Sequence, residues 1–535
     1  MKILVIGLDA ATMDLIEPWA AAGHLPTLAR LMREGASARL TSTPNMHSAS
    51  AWTSILTGLN PGRHGLFVFS DRDFATGRQV FFKGGDRTGE LIGSHLSRHG
   101  LTSGFLNVPM TYPAACEGGG FMISGLDAPS LNERAFCPPE LRGQLFNLFP
   151  RYHFAPQGLG ELMRAGRVNE AIGEWTNLVE IQTAAAEYLM TNFPVDFFMT
   201  VYTASDWGGH NLWPRSNEAT PLLEIYCALD GAIARVLRHA SDETQVYVIS
   251  DHGMGRHTGA SYHLADWLEA RGYMVRGRSR ARHSIVAAGR RAARTLLPAS
   301  VRERVKAGMG EDRVGRLQAS EKDSFYSSVD WRRSVAYTEP GRHVININLE
   351  GRNAGGIVQE SDYDEVCSKI MEDLKNWSDA EGNPVVESVA SRDQVYSGPF
   401  TLRASDLYIY WNPAANFPEP PDEVRARGFW WRGDHRSEGI LICKGPGLQS
   451  NGRADARREL PTVYDLVPTI MHAAGLPVPE DLDGHPIQSV FTNEFTAAHP
   501  LRLDRPPQGA EAAVTPLSTE EEQLIKEKLR GLGYL

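Results

Sequence analysis

The sequence predicts an α/β fold: a doubly wound, mostly parallel central sheet with helices on both faces, plus a smaller inserted cap region. Three observations carry this reading. Short apolar runs bounded by polar or glycine residues recur at Ile3 to Leu8, Gly104 to Val108, Phe197 to Tyr202, Val246 to Ile249, Val344 to Ile347, Leu407 to Tyr410 and Ile440 to Ile442, as buried strands require. Helix-period segments lie between several of them, among them Leu25 to Arg33, Ala171 to Met190 and Pro221 to Arg238, and such alternation implies parallel strands joined by crossovers. Composition breaks once, from Arg271 to Lys306, where basic residues are dense and Glu303 is the only acid.

The first run, Ile3 to Leu8, is too short for a signal core or a membrane span and leads directly into Asp9, so it reads as a buried first strand. The basic segment reads as a surface helix or cap with a solvated face, because Leu296, Leu297, Val301 and Val305 keep helical spacing; a role against substrate phosphate or a membrane surface is the alternative. The chain is therefore expected to divide into a first part of the catalytic core over 1–270, a basic helical cap over 271–330, and a second part of the core over 331–535. The tail from Leu517 to Leu535 is rich in Glu and Lys and reads as one terminal helix.

Bulk properties exclude little about small substrates. A formal net charge of -10 argues against nucleic acid or an anionic membrane as an obligatory partner of the whole surface. No stretch reaches the roughly 18 apolar residues that a transmembrane helix needs. The five cysteines, Cys116, Cys137, Cys227, Cys367 and Cys443, are odd in number and lack CxxC pairing, which points to reduced thiols and a cytoplasmic location. Oligomeric state is left open.

Ligands of doubly wound sheets lie at the carboxyl ends of the strands, so polar residues just after the apolar runs are the first candidates. Asp9 stands there, and a carboxylate at the end of a buried strand needs a cation nearby; the plain alternative is a helix cap. Asp251 and His252 follow Val246 to Ile249, with Gly253 and Gly255 letting the backbone turn both side chains toward one ion. Asp206 and His210 are four apart, which places them on one face of a helical turn. His435 is expected in a glycine-bounded loop before Ile440 to Ile442, and it gains weight only from the rest of the set. Ser48 and Ser50 precede an apolar helix-like stretch, where a hydroxyl faces free N–H groups and a positive dipole end; spacing alone does not choose between them, and either can simply cap the helix.

Together these segments resemble the alkaline phosphatase superfamily, and within it the type I phosphodiesterase/nucleotide pyrophosphatase branch. The resemblance runs through GLDA, HSASAWTSILTGLNPGRHG, SDWGGH, ISDHGMG, GDHRSEGI and YDLVPTIMHAAGLPVPEDLDG, which span most of the expected core. It implies an alkaline-phosphatase-like fold and a phosphoric ester hydrolase with a small-molecule phosphate ester as substrate. It also implies two divalent metal ions, zinc or else manganese, one held by Asp9, Asp251 and His252 and the other by Asp206, His210 and His435. The nucleophile position, nine before Thr57 of the LTG motif, is Ser48, which would also touch the first ion and form a phosphoseryl intermediate. Position 51 is Ala51, which offers no donor, so phosphate oxygens must be held by backbone N–H groups or another side chain, for which Asn107 is the candidate. The CxPxR segment of sulfatases is missing. No cation for a monoester dianion is evident near the motifs, so diesters are expected over monoesters, with Trp52, Trp207 and Trp213 as candidate walls. A phosphotransferase or mutase using the same ligands is the rival within enzymes, and a non-catalytic binding protein the rival outside them.

Overall fold

The computed structural model describes residues 1–116, 118–156, 158–214, 221–277, 325–417, 431–450, 452–453, 460–505 and 516–531. Its central sheet has nine strands, in the spatial order β17 (Gly452–Arg453), β2 (Ala36–Thr41), β16 (Glu438–Lys444), β9 (Gln245–Ile249), β1 (Ile3–Leu8), β8 (Phe197–Tyr202), β5 (Ser103–Val108), β6 (Phe121–Ser124) and β7 (Phe136–Cys137). β1 runs parallel to both neighbours, with Ile3 beside Phe197 on one side and Gln245 on the other. β5 continues the parallel set, while β16 is antiparallel to β9 and β2. The sheet is thus mostly parallel and α/β, as its near-continuous apolar strands require.

Burial on both faces explains why β1 has no polar alternation. Leu4, Ile6 and Leu8 enter one hydrophobic cluster, and Ile3 and Val5 enter the cluster on the other face. Gly7 is needed because a Cβ there would stand 2.5 Å from the Trp52 ring, and that close approach lets the indole reach the end of the strand.

A second sheet of four strands, in the order β11 (Ala336–Tyr337), β12 (Val344–Ile347), β14 (Leu407–Trp411) and β13 (Val386–Ser391), forms a separate layer with its own core. Helices Ala260–Ala270 and Tyr363–Lys375 contribute Leu264, Trp267, Cys367 and Ile370 to that core. This corrects the expected boundary: the cap does not end at 330, since its strands continue to Trp411, and the runs at Val344 and Leu407 belong to it and not to the central sheet. Both runs are apolar because they cover the cap's core, and a sequence run does not say which core it covers. Residues 278–324, which include most of the basic segment and the helical spacing read at Leu296, Leu297, Val301 and Val305, lie outside the described residues. Arg276, at its start, is committed to Asp266 at 2.6 Å and Glu269.

The reduced-thiol expectation also needs correcting for one pair. Cys116 and Cys137 form a disulfide that ties β7 to the loop before β6, whereas Cys227, Cys367 and Cys443 are free. Their separation of 21 residues gave no motif to read. Among the described residues no helix is long and apolar enough to cross a membrane.

Candidate active site

Three parallel strands deliver most of the site from their carboxyl ends. β1 delivers Asp9, β9 delivers Asp251 and His252, and β8 leads into helix Ala204–Leu212, which carries Asp206 and His210 on one face. His435 was expected in a loop. It lies instead on β15 (Gly433–Arg436), a short strand paired antiparallel with β10 (Gly253–Arg256), where it faces Met254. That pairing is local and glycine-rich, so no apolar run announces it.

Ser48 and Ser50, which spacing did not separate, stand in different surroundings. Helix Ser48–Thr57 starts at Ser48, and its cap is His47, whose Nδ1 accepts from the Ala49 N–H; neither serine caps it. The Ser48 hydroxyl lies 3.1 Å from His252 Nε2 and 3.4 Å from Asp9 Oδ1. Ser50 turns away, bonding Asn45 Oδ1 at 2.8 Å, the His47 carbonyl at 2.9 Å and Thr43 at 2.9 Å. The two hydroxyls are two residues apart but serve different neighbourhoods.

The acidic and imidazole groups gather as two triads. In the first, His252 Nε2 is 3.3 Å from Asp251 Oδ2 and 3.7 Å from Asp9 Oδ1. In the second, Asp206 Oδ1 is 3.3 Å from both His210 Nε2 and His435 Nε2. Within each triad the ligand atoms lie inside 4.8 Å of one another, and the rings of His252 and His435 are 3.9 Å apart, so the two groups adjoin. All three histidines spend Nδ1 on a backbone carbonyl: His252 on Gly253, His210 on Gly433 and His435 on Met46. Those bonds fix the tautomer and leave each Nε2 with a lone pair facing the triad.

Electrostatics describe a site that wants cations. Burial first, and then Asp251 and Asp206, push the Asp9 carboxyl well above its usual range. Burial raises Asp251 to about 7, with Asp206 adding to it. Burial would raise Asp206 too, but His210 and His435, when protonated, outweigh it by their charge and hydrogen bonds and hold that carboxyl well below its usual range. Burial keeps His252 neutral, its pKa well below the imidazole range. Asp251 Oδ2 is buried without a hydrogen-bond partner, although Ala10 N–H serves the other oxygen at 3.2 Å. A buried carboxylate oxygen without a donor, beside lone pairs that also lack one, fits a divalent ion in each triad.

Other expectations divide. Trp52 and Trp207 are core residues, though Trp52 Nε1 donates to Asp9 Oδ2 at 3.1 Å and so orients the first ligand. Trp213 packs partly buried against the main core. The aromatic beside the site is Trp431, whose ring stacks on His210 at 3.7 Å. Its position four residues before His435 was the only available signal. Asn107, the penultimate residue of β5, lies in the left-handed region (φ 60°); its Oδ1 accepts from the Tyr152 hydroxyl, and its buried Nδ2 has no partner. No hydrogen bond joins it to either triad.

A doubly wound sheet that holds a buried serine hydroxyl against adjoining Asp/His triads is the arrangement expected of a phosphoester hydrolase. Comparison with known proteins agrees and narrows the class. The chain belongs to the type I phosphodiesterase/nucleotide pyrophosphatase family, whose model matches residues 3–435. Among solved structures, wild-type alkaline phosphatase PafA superposes with a TM-score of 0.51 at 13% identity, covering 92% of this chain and 99% of its own. Phosphonoacetate hydrolase from Sinorhizobium meliloti 1021, in complex with phosphonoformate, gives 0.50 at 15% identity, covering 87% and 93%. Human ectonucleotide pyrophosphatase/phosphodiesterase 5 gives 0.49 at 12%, covering 92% and 100%. No curated protein matches the chain by sequence.

Proposed function

We propose that this phosphoester hydrolase works through Ser48 in two steps, with phosphoric diesters as its first substrate class. The observation that carries the reading is the placement of the Ser48 hydroxyl within 3.1 Å of His252 and 3.4 Å of Asp9, while Ser50 is bound elsewhere. Asp9, Asp251 and His252, with Ser48, would hold one divalent ion, and Asp206, His210 and His435 the other; mixed Asp/His donors suit zinc first and manganese second. Bound ions would supply positive charge that lowers the pKa of a hydroxyl and stabilises a departing oxygen.

The chain's own residues do the rest. Trp52 fixes Asp9, and the Ser250 hydroxyl bonds the Ala11 carbonyl at 3.0 Å, which locks the turn after β1. Ser48 Oγ, losing its proton, forms the new bond to phosphorus as one ester oxygen leaves and is protonated; from a diester this gives a seryl phosphodiester that keeps the second ester group, and water then breaks the Ser48 Oγ–phosphorus bond to release the monoester. The amino end of helix Ser48–Thr57 favours the negative phosphate. Asn107, with its unused amide donor, is the candidate contact to a substrate oxygen. A phosphotransferase differs only in using an alcohol in place of water, and product analysis with added alcohols separates the two.

Bis-p-nitrophenyl phosphate turnover by zinc- or manganese-loaded protein, followed by an acid quench and peptide mapping, tests the reading. The expected result is a p-nitrophenylphosphoryl group on the Ser48 peptide. Turnover with no such adduct on Ser48 under any quench removes the covalent route. The Cys116–Cys137 bond fits an oxidising compartment better than the cytoplasmic location suggested by scattered cysteines, and non-reducing peptide mapping of protein from its own cells decides it.

A further inference from the structure

We infer that His343, carried by the cap, is a positioning residue for the second triad: acting through Asp434 it holds His435 in place, so the seating of the cap sets how tightly that triad keeps its ion. The inference rests on the reading of the two triads as ion sites and goes beyond it by giving the cap a part in the second one.

His435 is the triad residue with the least support of its own. His210 rides on helix Ala204–Leu212, and His252 follows β9, which is buried along its whole length between β1 and β16. His435 instead lies on β15, only four residues long, and among the described residues this strand pairs with β10 alone. Two residues of β10 are the glycines Gly253 and Gly255, which add no side-chain packing. A two-stranded ribbon of this kind is marginally stable by itself, so something else must hold His435 against Asp206.

Asp434 does so, and the cap holds Asp434. Its Oδ1 accepts from the His435 N–H at 3.0 Å, and the residue is only 4% exposed. His343 Nε2 stands 3.2 Å from that same oxygen. The other oxygen, Oδ2, has no hydrogen-bond partner; His257 Nε2 is 3.6 Å away, and His257 Nδ1 accepts the Gly259 N–H at 2.8 Å. The nearest side chain to this buried carboxylate therefore comes from the cap. His343 is itself fixed there: it directly precedes β12, and its carbonyl accepts the Ile409 N–H of β14 at 2.8 Å. A buried carboxylate that loses its nearest donor must turn or draw in water, and the His435 N–H that it holds moves with it. His435 Nδ1 also donates to the Met46 carbonyl at 2.7 Å, two residues before Ser48, so the shift extends to the nucleophile loop.

The test titrates metal-free protein with zinc against a chromophoric chelator that resolves the two ions. It compares wild type, His343→Asn, His343→Gln, His435→Ala and the pair His343→Asn with His435→Ala. A Gln amide nitrogen can stand where Nε2 stands and donate to Asp434, whereas Asn is too short; the side chain is 20% exposed, so both polar amides should fold. His343→Asn should weaken one ion by about 10- to 100-fold and leave the other nearly unchanged, with His343→Gln recovering most of the loss. In the His435→Ala background, His343→Asn should weaken neither ion further. Turnover of bis-p-nitrophenyl phosphate by His343→Asn should recover as zinc is raised. Wild-type affinities in His343→Asn, equal weakening of both ions, or a further loss in the His435→Ala background overturns the inference while leaving hydrolysis at Ser48 standing. A wild type that binds fewer than two ions overturns the underlying reading along with it.

Discussion

His210 Nε2 and His435 Nε2 lie 2.9 Å apart, and with both rings neutral neither Nε2 carries a proton for the other, because each Nδ1–H is spent on a backbone carbonyl. Two lone pairs at that distance, facing the Asp206 carboxylate, repel one another unless a cation lies among them. Removing metal should therefore destabilise the protein as well as silence it. Thermal unfolding in chelator should begin at lower temperature than with zinc or manganese, since an ion at 1,000 times its Kd stabilises by about 4 kcal/mol. His435→Ala should lose most of that metal-dependent shift. His472→Ala should keep it, because His472 is buried against Phe491 and Phe495 on helix Leu466–Ala473. An unfolding temperature indifferent to metal would count against the triads as ion sites.

Ser48 and Ser50 offer a sharper comparison. Ser48→Ala deletes the group that faces His252 and Asp9, so kcat should fall by on the order of 10³-fold or more. Ser50→Ala deletes bonds to Thr43, Asn45 and the His47 carbonyl, all on the far side of the loop, and should lose little. Comparable losses in steady-state assays of the two variants would remove the assignment.

Much of this site was legible in the sequence because several of its Asp and His residues follow directly from strands. Asp9, Asp251 and His252 sit where an apolar run ends, and a run's end is visible without a structure. Asp206 and His210 were readable for a different reason, since a spacing of four fixes a shared helix face. Trp431 and the different surroundings of Ser48 and Ser50 were not legible. Each depends on how separate pieces of chain meet: a Trp ring against His210, and the first turn of helix Ser48–Thr57 against Asp9 and His252. The fold followed the same division. β1, β8 and β9 announced themselves by burial on both faces, whereas the runs at Val344 and Leu407 read identically but cover the core of the cap.

A distant carboxylate caps helix Pro26–Glu34, and its loss should be measurable. The residue before that helix, Leu25, offers no side-chain acceptor. Asp230 serves instead, from helix Pro221–Val236, accepting the Thr27 N–H at 3.0 Å and the Leu28 N–H at 2.8 Å. Asp230 is only 3% exposed, so Asp230→Ala leaves those donors without water or partner. The expected cost is about 2 kcal/mol, with Asp230→Asn milder because it keeps one acceptor. Urea unfolding of the two variants beside wild type checks this, and an Ala variant as stable as wild type would show that the donors find other partners.

Acid should weaken the fold through His64, a buried residue remote from the triads in sequence. Its Nδ1 accepts the Leu66 N–H at 3.2 Å, which leaves Nε2–H for Ser54 Oγ at 3.0 Å, so the neutral ring satisfies both neighbours. A second proton would turn Nδ1 from acceptor to donor against that N–H. Burial above all, with the Arg87 charge adding to it, pushes the His64 pKa down to about 3. An unfolded histidine titrates near pH 6.5, so between roughly 6.5 and 3 the unfolded chain binds a proton that the folded chain refuses. Stability from this group is complete above pH 6.5 and declines as pH falls, by up to about 1.4 kcal/mol per pH unit. Other buried histidines share the trend, so the informative quantity is the difference between wild type and His64→Gln. The variant should be less stable at pH 7.5, yet its stability should fall less steeply down to pH 5.5. Parallel stability curves for the two proteins in urea would show that His64 does not carry the acid response.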